Sequence, residues 1–130
     1  MEITNEELTL IRDEIAFDFV EPFLECDLKN FLIGSSKMIR SQVSVLFLRT
    51  FGIEISPELV KILATGEIIH NASLLHDDIL DSAKIRRGIM TIGEKYSPKI
   101  SILAGDYLTF MTDQSSSYEV FAKVVKLAQK

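Results

Sequence analysis

Three features of the sequence predict an all-α fold. Apolar residues recur at helical spacing over most of the chain, several segments match helix starts, and no alternating run makes a persuasive strand. The 130 residues are 47% hydrophobic and 25% charged, which is the composition of an ordinary globular domain. We therefore expect helices packed on helices, with residues 1–130 forming one domain or part of one.

The first helix is expected to start at a capping box. Thr4 and Glu7 have the spacing of this motif, and apolar residues then recur at helical intervals. Pro22 should stop or kink this helix near Val20, because proline cannot donate a backbone hydrogen bond. A second helical stretch should follow it.

The second stretch should end near Gly34, and a third helix is predicted from about Ser36 to Phe51. Gly52 stands where a C-terminal glycine is expected. The apolar run at residues 43–48 is the place where a strand would most plausibly hide.

The longest predicted helix covers about residues 57–81. Ser56 supplies an N-cap, Pro57 fits the first helical position, and the helix is apolar on several sides. It should therefore be central and buried. Residues 82–97 lose the pattern and are expected to form a loop.

Two helices should complete the chain. Ser97 precedes Pro98 in a second helix start, and this helix should run to about Asp113. Three serines then precede a last helix, predicted at roughly residues 118–128.

The charge distribution favours some partners over others. Residues 1–27 carry nine acidic side chains against one basic side chain, whereas residues 28–130 are mildly basic within a net charge of −5. The acidic start argues against nucleic acid as a partner, and the basic remainder is compatible with a phosphorylated small molecule. The single cysteine, Cys26, excludes an internal disulfide and a cysteine-based zinc site.

No transmembrane segment is expected, because the longest stretch without Asp, Glu, Lys or Arg is nine residues, 68–76, against the ~20 needed to span a bilayer. The acidic N-terminus is unlike a secretory or mitochondrial leader. We therefore expect a cytoplasmic protein.

The candidate site lies at the end of the longest helix, where Asp77, Asp78 and Asp81 fall within five residues. Asp77 and Asp81 should share a helix face, and His70 lies on nearly the same stripe. Close carboxylates repel unless a cation bridges them, and oxygen ligands without cysteine favour Mg²⁺. Mg²⁺ commonly bridges carboxylates to substrate phosphates.

Cations for such a phosphate follow at once, in Arg86 and Arg87. The alternative is that the aspartates form a frayed, solvated helix end, and this alternative loses weight beside the histidine and the arginine pair. His76 is interpreted as a satisfied buried histidine or as support for the site.

The residues from Glu67 to Gly88 resemble the first aspartate-rich region of the trans-isoprenyl diphosphate synthases, or polyprenyl synthetases. Thr91 matches the threonine of their Gly-x-Pro-Thr turn, residues 102–108 match a Leu-x-Gly-Asp-x-Leu helix, and residues 34–41 match a Gly-Gly-Lys-Arg-x-Arg-Pro segment. The resemblance spans about residues 30–112, and it is closest to the long-chain synthases. It implies the N-terminal part of an antiparallel helical bundle of the isoprenoid synthase type.

The resemblance also implies roles for individual residues. Asp77 and Asp81 would ligate Mg²⁺ that bridges the diphosphate of an allylic substrate, with Asp78 as their support. Arg86 would contact that diphosphate. The residues implied for the diphosphate of isopentenyl diphosphate are Lys37, Arg40, His70 and Arg87. Lys37 and Arg40, three residues apart, are expected to share a helix face.

The implied reaction is a prenyl transfer. The allylic carbon ionises as its diphosphate leaves, the double bond of isopentenyl diphosphate attacks, and a proton is lost. In the family an aromatic residue five positions before the aspartates limits product length, and here that position is Ala72, which favours a long-chain product. Family members are commonly homodimers.

Several positions depart from the family pattern. Ser35 and Ser36 replace the double glycine, Met38 replaces a basic residue and Ser41 replaces the proline. The loss of the basic residue at Met38 is expected to weaken diphosphate binding. Asp106 is interpreted as a helix-packing residue.

No second aspartate-rich motif follows. We therefore expect the N-terminal part of a synthase, inactive alone. Two alternatives are a non-catalytic helical subunit that modulates a partner synthase and a plain helical interaction module.

Overall fold

Helices account for nearly all of the regular structure, which confirms the predicted all-α class. The computed structural model describes residues 5–15, 22–34 and 36–113. Within these ranges the elements, in chain order, are α1 (Asn5–Ile15), α2 (Pro22–Lys29), a π-helical turn (Asn30–Gly34), α3 (Ile39–Thr50), α4 (Pro57–Leu80), β1 (Ile85–Arg86), β2 (Ile89–Met90), α5 (Ile92–Lys95) and α6 (Pro98–Asp113). Contacts divide the chain into two compact units, 1–67 and 68–130.

The predicted helix boundaries agree with the structure at several ends. The Ser56 hydroxyl accepts a hydrogen bond from the Leu59 N–H at 3.2 Å, and the Ser97 hydroxyl accepts one from the Ile100 N–H at 3.3 Å. Both serines are therefore N-caps, as expected from the Ser-Pro pairs. Gly52, with φ of +70°, ends α3 as predicted, because its left-handed backbone suits a residue without a side chain.

Some predictions concern residues outside the described ranges. These are the Thr4 cap, the helix end near Val20, the serine at position 35 and the last helix at 118–128. No described helix has both the length and the apolar character needed to cross a membrane.

The first unit has an apolar core formed by residues at helical spacing. Ile11 and Ile15 of α1 are buried, as are three residues of the second helical stretch, Leu24, Leu28 and Leu32. The run at 43–48 belongs to α3, so no strand forms there. The buried residues of these segments thus recur at the helical spacing that the sequence predicted.

Helix α3 starts three residues later than predicted. Met38 adopts a left-handed conformation (φ 51°, ψ 41°), and the Ser36 hydroxyl accepts a hydrogen bond from the Met38 N–H at 3.2 Å. Such local side-chain bonds compete with helix formation. Lys37 therefore precedes the helix, and the expectation that it shares a helix face with Arg40 is wrong.

Helix α4 has one buried stripe, whereas the prediction was a helix buried on several sides. The stripe includes apolar Val60, Ala72 and Leu75, and it also carries buried polar residues. Ile62 and Leu80 lie on the exposed part of the surface. Helical periodicity predicted the position of the stripe. The apolar residues on the other faces led to an expectation of burial there, whereas residues such as Ile62 and Leu80 are exposed.

The segment predicted as a loop after α4 contains regular structure. Strands β1 and β2 pair antiparallel with Arg86 opposite Ile89, and α5 follows. Gly88 lies in the two-residue connection of this hairpin. The hairpin and α5 belong to the second unit, together with the aspartates.

Candidate active site

The three aspartates at the end of α4 differ in exposure. Asp77 and Asp81 are exposed, whereas Asp78 is 2% exposed. The Asp81 N–H donates to the Asp77 carbonyl at 2.8 Å, so the two exposed carboxylates lie one helical turn apart. The first and third positions of the motif are accessible to a ligand, and the second is withdrawn from solvent.

Asp78 is paired with Arg86. The Arg86 Nε and Nη2 groups lie 2.7 and 2.6 Å from Oδ1 of Asp78, while the buried Oδ2 has no hydrogen-bond partner. A guanidinium has five N–H donors, so this contact leaves three for another acceptor. With its side chain 28% exposed, Arg86 is fixed at one end and accessible at the other.

The turn after Asp81 is tightly defined. Ser82 has φ of +52°, its N–H donates to the Ile79 carbonyl at 3.2 Å, and the Ala83 N–H donates to the Asp78 carbonyl at 2.9 Å. These two bonds end the helix in a Schellman motif, with serine at the position that glycine usually occupies. The turn carries the chain from the aspartates directly to the arginines.

Arg87 lies at the tip of the hairpin. Arg87 and Gly88 have φ of +52° and +75° and connect paired strands, which defines a type I′ turn. A left-handed conformation is uncommon for arginine, since this turn favours Asn, Asp or Gly. Arg87 is exposed at this tip.

Thr91 anchors the end of the hairpin. Its hydroxyl donates to the Ala83 carbonyl at 2.9 Å and accepts from the Glu94 N–H at 3.3 Å, which makes it the N-cap of α5. Thr91 is 2% exposed. In this structure it is therefore a structural residue that closes the loop bearing the arginines.

The two histidines of α4 have different surroundings. His70, partly buried, lies on the stripe of Asp77, as predicted. His76 Nε2 lies 3.1 Å from the Ile102 carbonyl oxygen and 3.2 Å from Asp106 Oδ1. Because both partners are acceptors, Nε2 carries a proton.

The His76 contact depends on a glycine in α6. A side chain at Gly105 would overlap the His76 ring and bring its Cβ to 3.1 Å from the Ala72 carbonyl oxygen. His76 is 38% exposed, so it is a satisfied but only partly buried histidine. Asp106 joins α6 to α4 through this contact, which supports its interpretation as a packing residue.

The basic segment belongs to the first unit. Lys37 is exposed, Arg40 is half exposed, and Met38 between them is 1% exposed. The position where the resembling family has a basic side chain is thus occupied by a buried apolar one. Lys37 and Arg40 are the accessible cations of the segment.

Glu67 is a buried carboxylate for which the sequence motifs predict no role. It is 1% exposed, and its Oε1 accepts hydrogen bonds from the N–H and the hydroxyl of Ser41 at 3.2 and 2.9 Å. Arg40 Nη2 lies 3.5 Å from its Oε2. The available signal was a charged residue in the apolar stripe of α4.

The donor set at the end of α4 suits Mg²⁺. Across residues 5–15, 22–34 and 36–113, no three acidic, histidine or cysteine side chains converge to hold a metal by themselves. Asp77 and Asp81 provide two exposed hard-oxygen ligands, and Mg²⁺ usually completes its shell with water and substrate phosphates. Two carboxylates with an arginine nearby therefore fit a metal that binds together with a phosphorylated ligand.

Fold and site thus describe an all-α protein with two exposed carboxylates and a paired arginine at one helix end. Comparison with known proteins identifies the family. The polyprenyl synthetase sequence profile matches residues 22–130. The chain belongs to the polyprenyl synthetase family, and the resemblance inferred from its motifs is confirmed.

Three similar proteins illustrate the match. A prenyl transferase from Cyanophora paradoxa is 48% identical over 64 residues, which are 49% of this chain and 20% of that protein. Octaprenyl diphosphate synthase of Escherichia coli (strain K12) is 40% identical over 75 residues, 58% of this chain and 23% of that enzyme. A decaprenyl diphosphate synthase from Rhodobacter capsulatus superposes with a TM-score of 0.68 at 32% identity, over 84% of this chain and 34% of that chain.

The structural match confirms the isoprenoid synthase fold class. The chain spans about a fifth to a third of the length of these three proteins. The activities of these three proteins therefore belong to chains much longer than this one.

Proposed function

We propose that this chain is the N-terminal part of a polyprenyl diphosphate synthase that condenses an allylic diphosphate with isopentenyl diphosphate. The proposal rests on the end of α4. There Asp77 and Asp81 are exposed, and the buried Asp78 between them pairs with Arg86. Family membership and the two long-chain relatives support the reaction class.

Asp77 and Asp81 are the proposed ligands of Mg²⁺, which when bound would neutralise charge on the allylic diphosphate. Arg86 donates hydrogen bonds to the same diphosphate through the donors that Asp78 leaves free. Asp78 acts by orienting that arginine. This division of roles follows from the contrast between two exposed carboxylates and one buried, paired carboxylate.

Lys37 and Arg40 are proposed to bind the diphosphate of isopentenyl diphosphate, and His70 and Arg87 are assigned the same substrate by resemblance. Lys37 and Arg87 both have exposed side chains, and cations of this kind pair with phosphate oxygens. We also propose a long-chain product, because Ala72 is a small residue at the position where an aromatic residue limits product length in the family. A homodimer is proposed for the full-length protein.

The chain is proposed to bind diphosphates but to be inactive alone, since the similar structure is about three times as long as the matched part. Isothermal titration with farnesyl diphosphate tests this, with MgCl₂ or with EDTA. We expect binding that requires Mg²⁺ and no product when isopentenyl diphosphate is added. Asp77→Asn and Asp81→Asn should abolish the Mg²⁺ requirement together with most of the affinity.

Glu94→Gln is the matched control, because it removes one exposed negative charge of the second unit that is not assigned to the site. It should bind as the unaltered chain does. Equal binding in EDTA, or full affinity in Asp77→Asn, would contradict the proposed metal site.

A second candidate function is a non-catalytic subunit that modulates a partner synthase. Buried Met38 favours it, because this side chain cannot provide the cation found at that position in the family. In that case the chain would change the turnover of a purified long-chain polyprenyl diphosphate synthase, and Asp77→Asn would do so equally. Under the first proposal, farnesyl diphosphate binding depends on Asp77.

A further inference from the structure

The start of α3 lacks a cap of its own. Met38 occupies the N-cap position without a side-chain hydrogen bond, although the first N–H groups of a helix have no partner within it. Gln42 is the first residue whose N–H reaches back, to the Met38 carbonyl at 3.0 Å. The N–H of Ser41, one position earlier, needs an acceptor from elsewhere.

Glu67 of α4 provides that acceptor. Its Oε1 lies 3.2 Å from the Ser41 N–H and 2.9 Å from the Ser41 hydroxyl. Both residues are 1% exposed, so neither Ser41 donor has access to bulk water as a substitute. A carboxylate at a helix N-terminus also interacts favourably with the helix dipole.

The same carboxylate contacts one of the proposed substrate cations. Glu67 Oε2 lies 3.5 Å from Arg40 Nη2, while the Arg40 side chain is 49% exposed. Arg40 is thus restrained on its protein side and open to a ligand on the other. Burying a carboxylate is unfavourable unless its partners compensate, and here the two Ser41 donors and Arg40 provide that compensation.

We propose that Glu67 is a positioning residue: it caps α3 from the neighbouring helix and thereby fixes the segment that presents Lys37 and Arg40 to a diphosphate. The inference rests on the proposed function, because that function supplies the ligand. It goes beyond it by assigning a role to a residue that touches no substrate. Ser41 is the partner of Glu67 in this cap. A proline at position 41 would have neither the backbone N–H nor the hydroxyl that Glu67 accepts from.

Two measurements on the full chain test the proposal. Hydrogen exchange of peptides covering residues 38–42 reports on the cap, and titration with isopentenyl diphosphate reports on the cations. Glu67→Ala should raise the exchange rate and weaken isopentenyl diphosphate binding, each by about tenfold, the equivalent of one charge-assisted hydrogen bond. Mg²⁺-dependent binding of farnesyl diphosphate should stay unchanged.

Further variants separate positioning from general destabilisation. Ser41→Ala removes the hydroxyl but keeps the N–H donor and should give a smaller effect in the same direction. Glu67→Gln keeps an acceptor and should restore most of the exchange protection. Glu58→Gln, an exposed glutamate in the first turn of the same helix, is the control and should change neither measurement.

The possible outcomes are distinct. Faster exchange with unchanged isopentenyl diphosphate affinity in Glu67→Ala would overturn the positioning role and leave the proposed function intact. Unchanged exchange in a folded Glu67→Ala chain would overturn the cap itself. If the unaltered chain binds no isopentenyl diphosphate, the proposed function fails for this segment, and the positioning role fails with it.

Discussion

Asp78 accepts two contacts from Arg86 at a single carboxylate oxygen, with Nε at 2.7 Å and Nη2 at 2.6 Å. The aspartate is buried and the arginine is partly exposed. This pair connects the end of α4 to strand β1, and it divides the three aspartates into one structural and two accessible carboxylates. The spacing of the aspartates in the sequence does not by itself reveal that division.

The Asp78 pair predicts a specific stability pattern. Arg86→Ala should lower the free energy of unfolding by about 3 kcal/mol, because it leaves a buried carboxylate with no cation. The double variant Asp78→Leu/Arg86→Met should recover most of that loss, since no buried charge remains. Urea unfolding measures both, and Lys84→Ala, an exposed cation two residues away, should have little effect. If both variants lost the same free energy of unfolding, the unpaired buried charge would not be the cause of the destabilisation.

The hairpin tip predicts a conflict between stability and binding. Arg87→Asn should raise the unfolding free energy by about 0.5–1 kcal/mol, because Asn tolerates the left-handed turn better than Arg. The same change should weaken isopentenyl diphosphate binding by removing a cation. Gly88→Ala is the opposite control, since a side chain at φ of +75° is strained, and it should lower the stability. Tighter diphosphate binding by Arg87→Asn would contradict the proposed role.

Gly105 predicts a coupled effect with His76. Gly105→Ala should destabilise the chain by about 1–3 kcal/mol, because the new Cβ would overlap the His76 ring and crowd the Ala72 carbonyl. Combining it with His76→Ala should cost less than the sum of the two single changes, since the overlap with the ring is removed. Thermal unfolding of the four chains measures the coupling. Strict additivity would mean that the ring does not limit the approach of α6.

Ala72 predicts the control of product length. In an active protein carrying this segment, Ala72→Phe should shorten the polyprenyl product, because the added ring would occupy space proposed for the growing hydrocarbon. Chromatography of the dephosphorylated products measures this. Ser73→Phe places the same ring at the adjacent exposed position and should leave the product length unchanged. Products of unaltered length from a folded Ala72→Phe protein would refute the assignment.

Local signals in the sequence located most helices correctly. The Ser-Pro pairs set the starts of α4 and α6, and Gly52 set the end of α3, because capping depends on neighbours within a few residues. The beginning of α3 was predicted too early. There the Ser36 hydroxyl accepts a hydrogen bond from the Met38 N–H and Met38 is left-handed, so the helix begins only at Ile39.

Sequence patterns did not predict the contacts between residues that are far apart in the chain. The capping of α3 by Glu67 joins residues 26 apart, and the His76 contact with Asp106 joins residues 30 apart. Helical spacing relates residues within one element only. It therefore gave Glu67 no role, although its charge in an apolar stripe was visible.

The sequence by itself determined the helical class, the family and the identity of the acidic and basic residues at the candidate site, because short-range periodicity, caps and motif spacing are written in neighbouring residues. Only the tertiary structure decided which aspartate is buried, that it holds Arg86, and how Glu67 caps α3. Burial and pairing depend on which side chains from other elements come within hydrogen-bonding distance. That proximity is set by packing across the fold, which no local pattern specifies.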